Sequence, residues 1–204
     1  MRIRNLLAFL AFVLVLTCVF CSALAETEES TELDIAYTTY VLDEIGISVD
    51  IPSEYVAFTR DISDDDPNLT AYGLTKESLS ESMQEGGLYF LAADKIMNFE
   101  IKIAAIDSQG FDINKMDDDF LNSTLSSTDA PEGTSIEKTE IIQHDQAKFG
   151  KMRFDFSDEI GGAIVYMTTH NDKFIEIVME FYSDSLDSEK EAIFDSIVDS
   201  IHFD

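Results

Sequence analysis

Asp61, Ser63 and Asp65 stand at alternate positions in the run Asp61-Ile-Ser-Asp-Asp-Asp-Pro-Asn68. Oxygen-bearing side chains at that spacing open a calcium loop. The rest of the loop does not follow. Asp66 occupies the position that needs glycine, and Tyr72 the position of the bidentate glutamate, so an EF-hand is excluded. The run still permits a looser site, in which Asp61, Asp64, Asp65 and Asp66 hold Ca2+ or another divalent cation weakly. Extracellular modules bind calcium at about 0.1–1 mM in this way. The plainer reading of the same residues is a solvated acidic loop. Asp117-Asp118-Asp119 has its own plain reading, because acids in the first turn of a helix favour its positive end.

Other chemistries find little support. No Gly-x-Ser-x-Gly elbow occurs. His144, His170 and His202 form no His-x-x-x-His pair, and surface positions are expected for His170 and His202. Gly86-Gly87 and Gly161-Gly162 lack the spacing and the lysine of a phosphate loop. The two cysteines are Cys18 and Cys21, so the chain beyond them has no disulfide, no cysteine nucleophile and no cysteine-based zinc site. An enzyme is not expected, and no cofactor is called for beyond weak Ca2+. The enzymatic alternative is a carboxylate-dependent hydrolase, which needs two converging carboxylates with separated pKa values.

The compartment is written at the N-terminus. Arg2 and Arg4 precede an apolar run from Leu6 to Phe20, broken by Thr17, and Ala23-Leu24-Ala25 is a small-x-small site. This is the layout of a secretory signal peptide over residues 1–25, with cleavage between Ala25 and Glu26. The expected localisation is extracytoplasmic and secreted. The alternative is a membrane anchor made by residues 6–25, just long enough to span a bilayer, and this segment is the one route to a membrane. Thr17 and Phe20 precede the cysteines, which does not suit lipidation.

The charge is extreme, at -28 for 204 residues, and the two leader arginines make it -30 for residues 26–204. Such a field repels nucleic acid and anionic headgroups. It also keeps a protein soluble.

These residues must be positioned by a single domain. Residues 26–36 are acidic and read as a short disordered linker. The domain then runs over 37–204. Tyr37–Leu42 and Gly46–Ile51 read as strands, and 61–68 as a charged loop. Thr75 caps a helix through Gln84 that buries Leu79 and Met83 and stops at Gly86-Gly87. Leu88–Ala93 is a buried strand. In the next, Phe99, Ile101 and Ile103 alternate with Glu100 and Lys102. Met116–Leu125 reads as a second short helix with Phe120 and Leu121 inward. Strands follow at Thr134–Gln143, Lys151–Phe156 and Ala163–Thr169. Asn171-Asp172 marks a two-residue hairpin that sets Met167 opposite Glu176 and Tyr166 opposite Ile177. Ile193, Phe194, Ile197, Val198 and Ile201 recur on one face of a closing helix, with Asp187, Glu189, Asp195 and Asp199 on the other. Phe149, Phe154, Phe156, Phe174 and Phe181 are expected in the core. The fold class is α+β, a predominantly antiparallel sheet of six or seven strands with helices packed on it.

The pattern resembles the PsbP-like superfamily of α-β-α sandwiches. The segments that carry it are Glu44-Ile-Gly-Ile-Ser-Val-Asp-Ile-Pro-Ser53, the hairpin Val165–Phe174 and the closing Ile193–Phe203. The resemblance implies an extracytoplasmic accessory or binding protein without enzymatic activity, and transfers no functional residue. Many relatives carry an aromatic such as Trp after the Pro-Ser, where this chain has Glu54-Tyr55. The functional expectation is therefore a non-enzymatic domain that binds a protein or cell-envelope component and no nucleic acid. Low-affinity Ca2+ binding and the hydrolase are the alternatives.

Overall fold

Alternating apolar residues between Thr134 and Phe181 fold as a four-stranded meander. In the computed structural model, which describes residues 35–95, 98–156, 161–182 and 188–204, these strands are β6 (Thr134–Gln143), β7 (Lys148–Phe156), β8 (Gly162–His170) and β9 (Lys173–Phe181). Asn171 and Asp172 take φ of 47° and 58°, the left-handed values that let a two-residue turn follow the strand twist. Tyr166 lies opposite Ile177 and Met167 opposite Glu176, as the turn demands. β9 pairs in turn with β5 (Phe99–Asp107), which continues through β4 (Leu88–Ala93) to β3 (Val56–Thr59). The sheet order is β3-β4-β5-β9-β8-β7-β6, with every described pair antiparallel.

One face of this sheet presents Ile101, Ile103, Ile164, Tyr166, Ile177 and Met179. A small second sheet covers it, made of β1 (Tyr37–Leu42), β2 (Ile47–Pro52) and β10 (His202–Phe203) in the order β1-β2-β10. Ile47, Val49 and Ile51 from β2 join Phe194, Ile197 and Val198 of the closing helix in one core. A layer of helices alone is what the sequence implies on this face. The small sheet takes that place because the two N-terminal strands pair with each other and not with the large sheet.

The opposite face carries Ala104, Val165, Met167, Phe174 and Val178 under three helices: α1 (Pro67–Ala71), α2 (Lys76–Glu85) and α3 (Asp118–Ser126). The closing helix is α4 (Ser188–Asp199). Thr75 and Ser78 form the capping box of α2, Gly86 closes it, and Leu79 and Met83 face inward.

Four local expectations change. The expected loop at 61–68 contains the start of α1, with Pro67 in its first turn and Asp66 as its cap. Phe120 is 53% exposed, because Leu121 and Leu125 make the inward stripe of α3 at four-residue spacing. Glu100 and Lys102 are buried, since this central strand is covered on both faces. Phe156 is half-buried, at the end of β7, whereas the other four named phenylalanines are core. The sequence reading also lacks β3 and β10, both shorter than five residues.

The signal segment with Ala25 and Glu26, most of the acidic linker, Asp187 and the side chain of Glu189 lie outside the described residues. Among those described, no helix is long and apolar enough to cross a membrane.

Candidate functional site

A cavity of about 390 Å³ opens at the end of the large sheet where the β8–β9 hairpin turns. Its walls come from three short segments: the loop after β5, the 3₁₀ turn Ile113–Lys115, and the hairpin tip Thr169–Asp172. The Ser108 amide donates to the Asp172 carbonyl at 2.8 Å, which ties the loop to the tip. Asp112 caps the 3₁₀ turn through the Asn114 amide at 3.1 Å.

One wall is fixed by hydrogen bonds that use up its polar groups. Thr169 Oγ1 accepts from the Ile113 amide at 2.9 Å and donates to Asp112 Oδ1 at 3.0 Å. Asn114 Nδ2 donates to the Thr169 carbonyl at 2.7 Å, and its Oδ1 accepts from the Lys148 amide at 2.7 Å. Lys115 Nζ lies 2.7 Å from Asp112 Oδ2. The hydrogen bond from Lys115 holds the Asp112 carboxyl below the usual carboxylate range. The Phe111 ring packs edge-on against Phe174 with centroids 6.1 Å apart. The other wall, made by Ser108, Asn171 and Asp172, has side chains with no hydrogen bond among the described residues.

Gly46, in the β1–β2 turn, has φ of 65°, and a Cβ there would stand 2.8 Å from Asn171 Nδ2. The small sheet therefore butts against the hairpin tip. Phe203 fills the joint between His144 and His170, with centroids 6.3 and 5.0 Å away. His170 Nε2 sits 3.1 Å from the Asp204 carbonyl oxygen. Two histidines 26 positions apart in sequence thus flank one aromatic ring. His170 is half-buried there, and His202 is exposed as expected.

The sequence-derived cation residues lie elsewhere. Asp61, Asp64 and Asp65 are exposed, in the turn between β3 and α1. Asp64 is 3.9 Å from Lys76 Nζ, and Asp65 accepts from the Ser63 hydroxyl, which keeps its carboxyl below the usual range. Asp66 accepts from the Asn68 amide at 2.8 Å as the cap of α1. Among the described residues, no group of three or more His, Cys, Asp or Glu side chains is placed to hold a metal ion.

A feature that sequence alternation concealed lies on the helix-covered face. Glu100, Lys102, Glu176 and Glu180 are all buried there. Neither oxygen of Glu176 has a hydrogen-bond partner among the described residues, and burial pushes its carboxyl up to about 8. The cavity was not legible either. Its one signal is the Asn171-Asp172 turn, and the loops it meets are brought there by pairing across β5 and β9.

The small sheet supplies a second candidate surface. β1 ends its sheet, so alternate backbone groups along it face away from β2. Tyr37 and Val41 are 41% and 58% exposed on its outer face.

No protein-family model matches this chain, and no curated protein matches it. Similar solved structures include a cyanobacterial PsbP (CyanoP) from Synechocystis sp. PCC 6803, 13% identical over 87% of this chain and 98% of that one, with a TM-score of 0.49. A Saccharomyces cerevisiae Ran-binding protein, Mog1p, is 11% identical over 83% and 96%, at 0.43. A Pseudomonas aeruginosa protein of unknown function is 13% identical over 80% and 94%, at 0.38. A PsbP structure is among these neighbours, and no site residue comes from any of them.

Proposed function

We propose that this chain is an extracytoplasmic, non-enzymatic binding domain that docks an extended segment of a basic partner protein along β1. The observation that carries this reading is an edge that is undefended among the described residues. Natural sheets protect their edges with charges, bulges or brevity. β3 has four residues and β10 two. β6 has ten, but it carries Glu137, Lys138 and Glu140 and a bulge between Ile136 and Lys138. β1 is Tyr-Thr-Thr-Tyr-Val-Leu, six residues without charge and with an unbroken register. An added strand would gain main-chain hydrogen bonds, with Tyr37 and Val41 as side-chain anchors.

Charge selects the occupant. Asp43 and Glu44 are exposed at one end of β1 and Glu54 near the other, within a chain of net charge -28. A basic segment is attracted to such an edge, and an acidic one is repelled. The signal-like residues 1–25 support a partner met outside the cytoplasm.

The test is site-specific photo-crosslinking in intact cells, with hydrogen exchange on the recovered complex. A crosslinker at Val41 is expected to trap one protein with a basic segment, and β1 amides gain protection in the complex. Thr39→Pro, which obstructs strand addition, is expected to lower the yield at least tenfold. Equal trapping from Val41 and from the remote, exposed Phe120, or protection elsewhere with β1 unchanged, overturns the reading.

A further inference from the structure

We propose that the cavity at the β8–β9 hairpin tip binds a neutral, hydroxyl-rich ligand, a saccharide unit. This site is separate from the β1 edge and does not depend on it.

The first support is Ser108. It is 3% exposed, it lines the cavity, and its hydroxyl has no hydrogen-bond partner among the described residues. The residue as a whole is buried, but its hydroxyl is not among the fully buried polar atoms that lack a partner, so it reaches the open cavity. A ligand hydroxyl, which both donates and accepts, can meet it there without first breaking a hydrogen bond inside the protein. Asn171 and Asp172 line the same cavity with no side-chain hydrogen bonds of their own. Together they offer a hydroxyl, an amide and a carboxylate to neighbouring ring hydroxyls.

The opposite wall is rigid, since Asp112, Asn114 and Thr169 are locked to each other. Its geometry is preorganised before any ligand arrives, which lowers the entropic cost of binding. Phe111 adds an apolar surface for the face of a sugar ring, and Phe174 holds it from behind. A volume of about 390 Å³ is at the lower end of the range for small-molecule sites, about 300–1,000 Å³.

Charge narrows the class. An anion meets Asp172, which has no ion pair among the described residues, inside the field of a protein with net charge -28. A divalent cation finds Asp112 already neutralised by Lys115 and no cluster of three ligating side chains among the described residues. A neutral ligand with many hydroxyls meets neither obstacle.

The experiment is a titration of the intact, ¹⁵N-labelled protein followed by amide NMR. The probes are glucose, N-acetylglucosamine, cellobiose and chitobiose, with calcium chloride and inorganic phosphate run in parallel. The expected result is saturable shifts confined to residues 108–115 and 169–172 with at least one saccharide. Ser108→Ala and Asp172→Asn, each with an unchanged melting temperature, are expected to weaken that binding about three- to tenfold. Asparagine keeps the left-handed turn at position 172, so loss of fold is not a confounding outcome there. The proposal is overturned if no saccharide moves those amides, if calcium or phosphate moves them instead, or if both variants bind as the parent does.

Discussion

Glu100 and Glu180 face each other directly across the β5–β9 pair, with the Lys102 ammonium 3.0 Å from the first and 2.9 Å from the second. Opposed carboxylates on one sheet face repel. Lys102 makes the arrangement tolerable, and Tyr182 donates to Glu180 Oε2 at 2.7 Å. Removing the lysine leaves two buried acids without their cation. Lys102→Met is expected to cost about 3–5 kcal/mol. Replacing all three charged side chains with apolar ones is expected to recover most of that loss. Urea denaturation of both variants measures it. A neutral Lys102→Met would show that the acids are already protonated and that the lysine is dispensable.

Glu176 makes stability depend on pH in a defined direction. Its carboxyl is at about 8 in the folded chain, well above the usual carboxylate value, because Ala104 and Met167 flank it and no donor reaches it among the described residues. The charged groups on its own face include Lys102 and Glu100 from β5, Glu180 from β9 and, towards the hairpin end, Lys148 from β7. The folded state keeps this proton where the unfolded chain has lost it. The stabilisation is therefore complete at acid pH and is lost as pH climbs from about 4.5 to about 8. The full loss is on the order of 3–5 kcal/mol. Burial raises Glu180 as well, which acts in the same direction. Glu176→Met is expected to flatten the profile and to be more stable than the parent at pH 8. Melting curves across that window decide it, and an unchanged slope in the variant sinks the assignment.

The parts legible in sequence were those fixed by local rules. The Asn171-Asp172 turn gave the β8–β9 register because two left-handed residues allow few other connections. Thr75 and Gly86 bounded α2 for the same kind of reason. Long-range facts were hidden. Glu100 and Lys102 looked like the wet side of an alternating strand, and it takes the helix layer to bury them. Nothing local joins Phe111 to Asp172, so the cavity is a product of topology. The bulge between Leu88 and Phe90 is equally silent in a uniformly apolar run, yet it turns Leu88 to one core and Phe90 to the other.

Asp66 is a cap before it is a candidate ligand. Its carboxylate satisfies the Asn68 amide at the start of α1, and losing a cap costs about 1 kcal/mol. Asp66→Ala is expected to lower stability by that amount to the same extent with and without millimolar calcium. Asp61→Asn, at an exposed position with no hydrogen bond among the described residues, is expected to be neutral. A calcium-dependent melting temperature in the parent, lost in Asp61→Asn, would restore the cation reading of this run.

Gly46 tests whether the small sheet really sets the hairpin tip. Two costs attend Gly46→Ala. A left-handed alanine costs roughly 1–2 kcal/mol on any background. The added Cβ also stands 2.8 Å from Asn171 Nδ2 and 3.3 Å from His170 Nε2, so the tip must shift. Asn171→Gly removes the first of these contacts while keeping a residue suited to φ of 47°. Gly46→Ala is therefore expected to cost less in the Asn171→Gly background than in the parent. The difference between the two is the coupling of turn to tip. Equal costs would mean that the two turns do not touch in solution. In that case the small sheet contributes nothing to holding Asn171 and Asp172, and the open wall of the cavity is set by β8 and β9 alone.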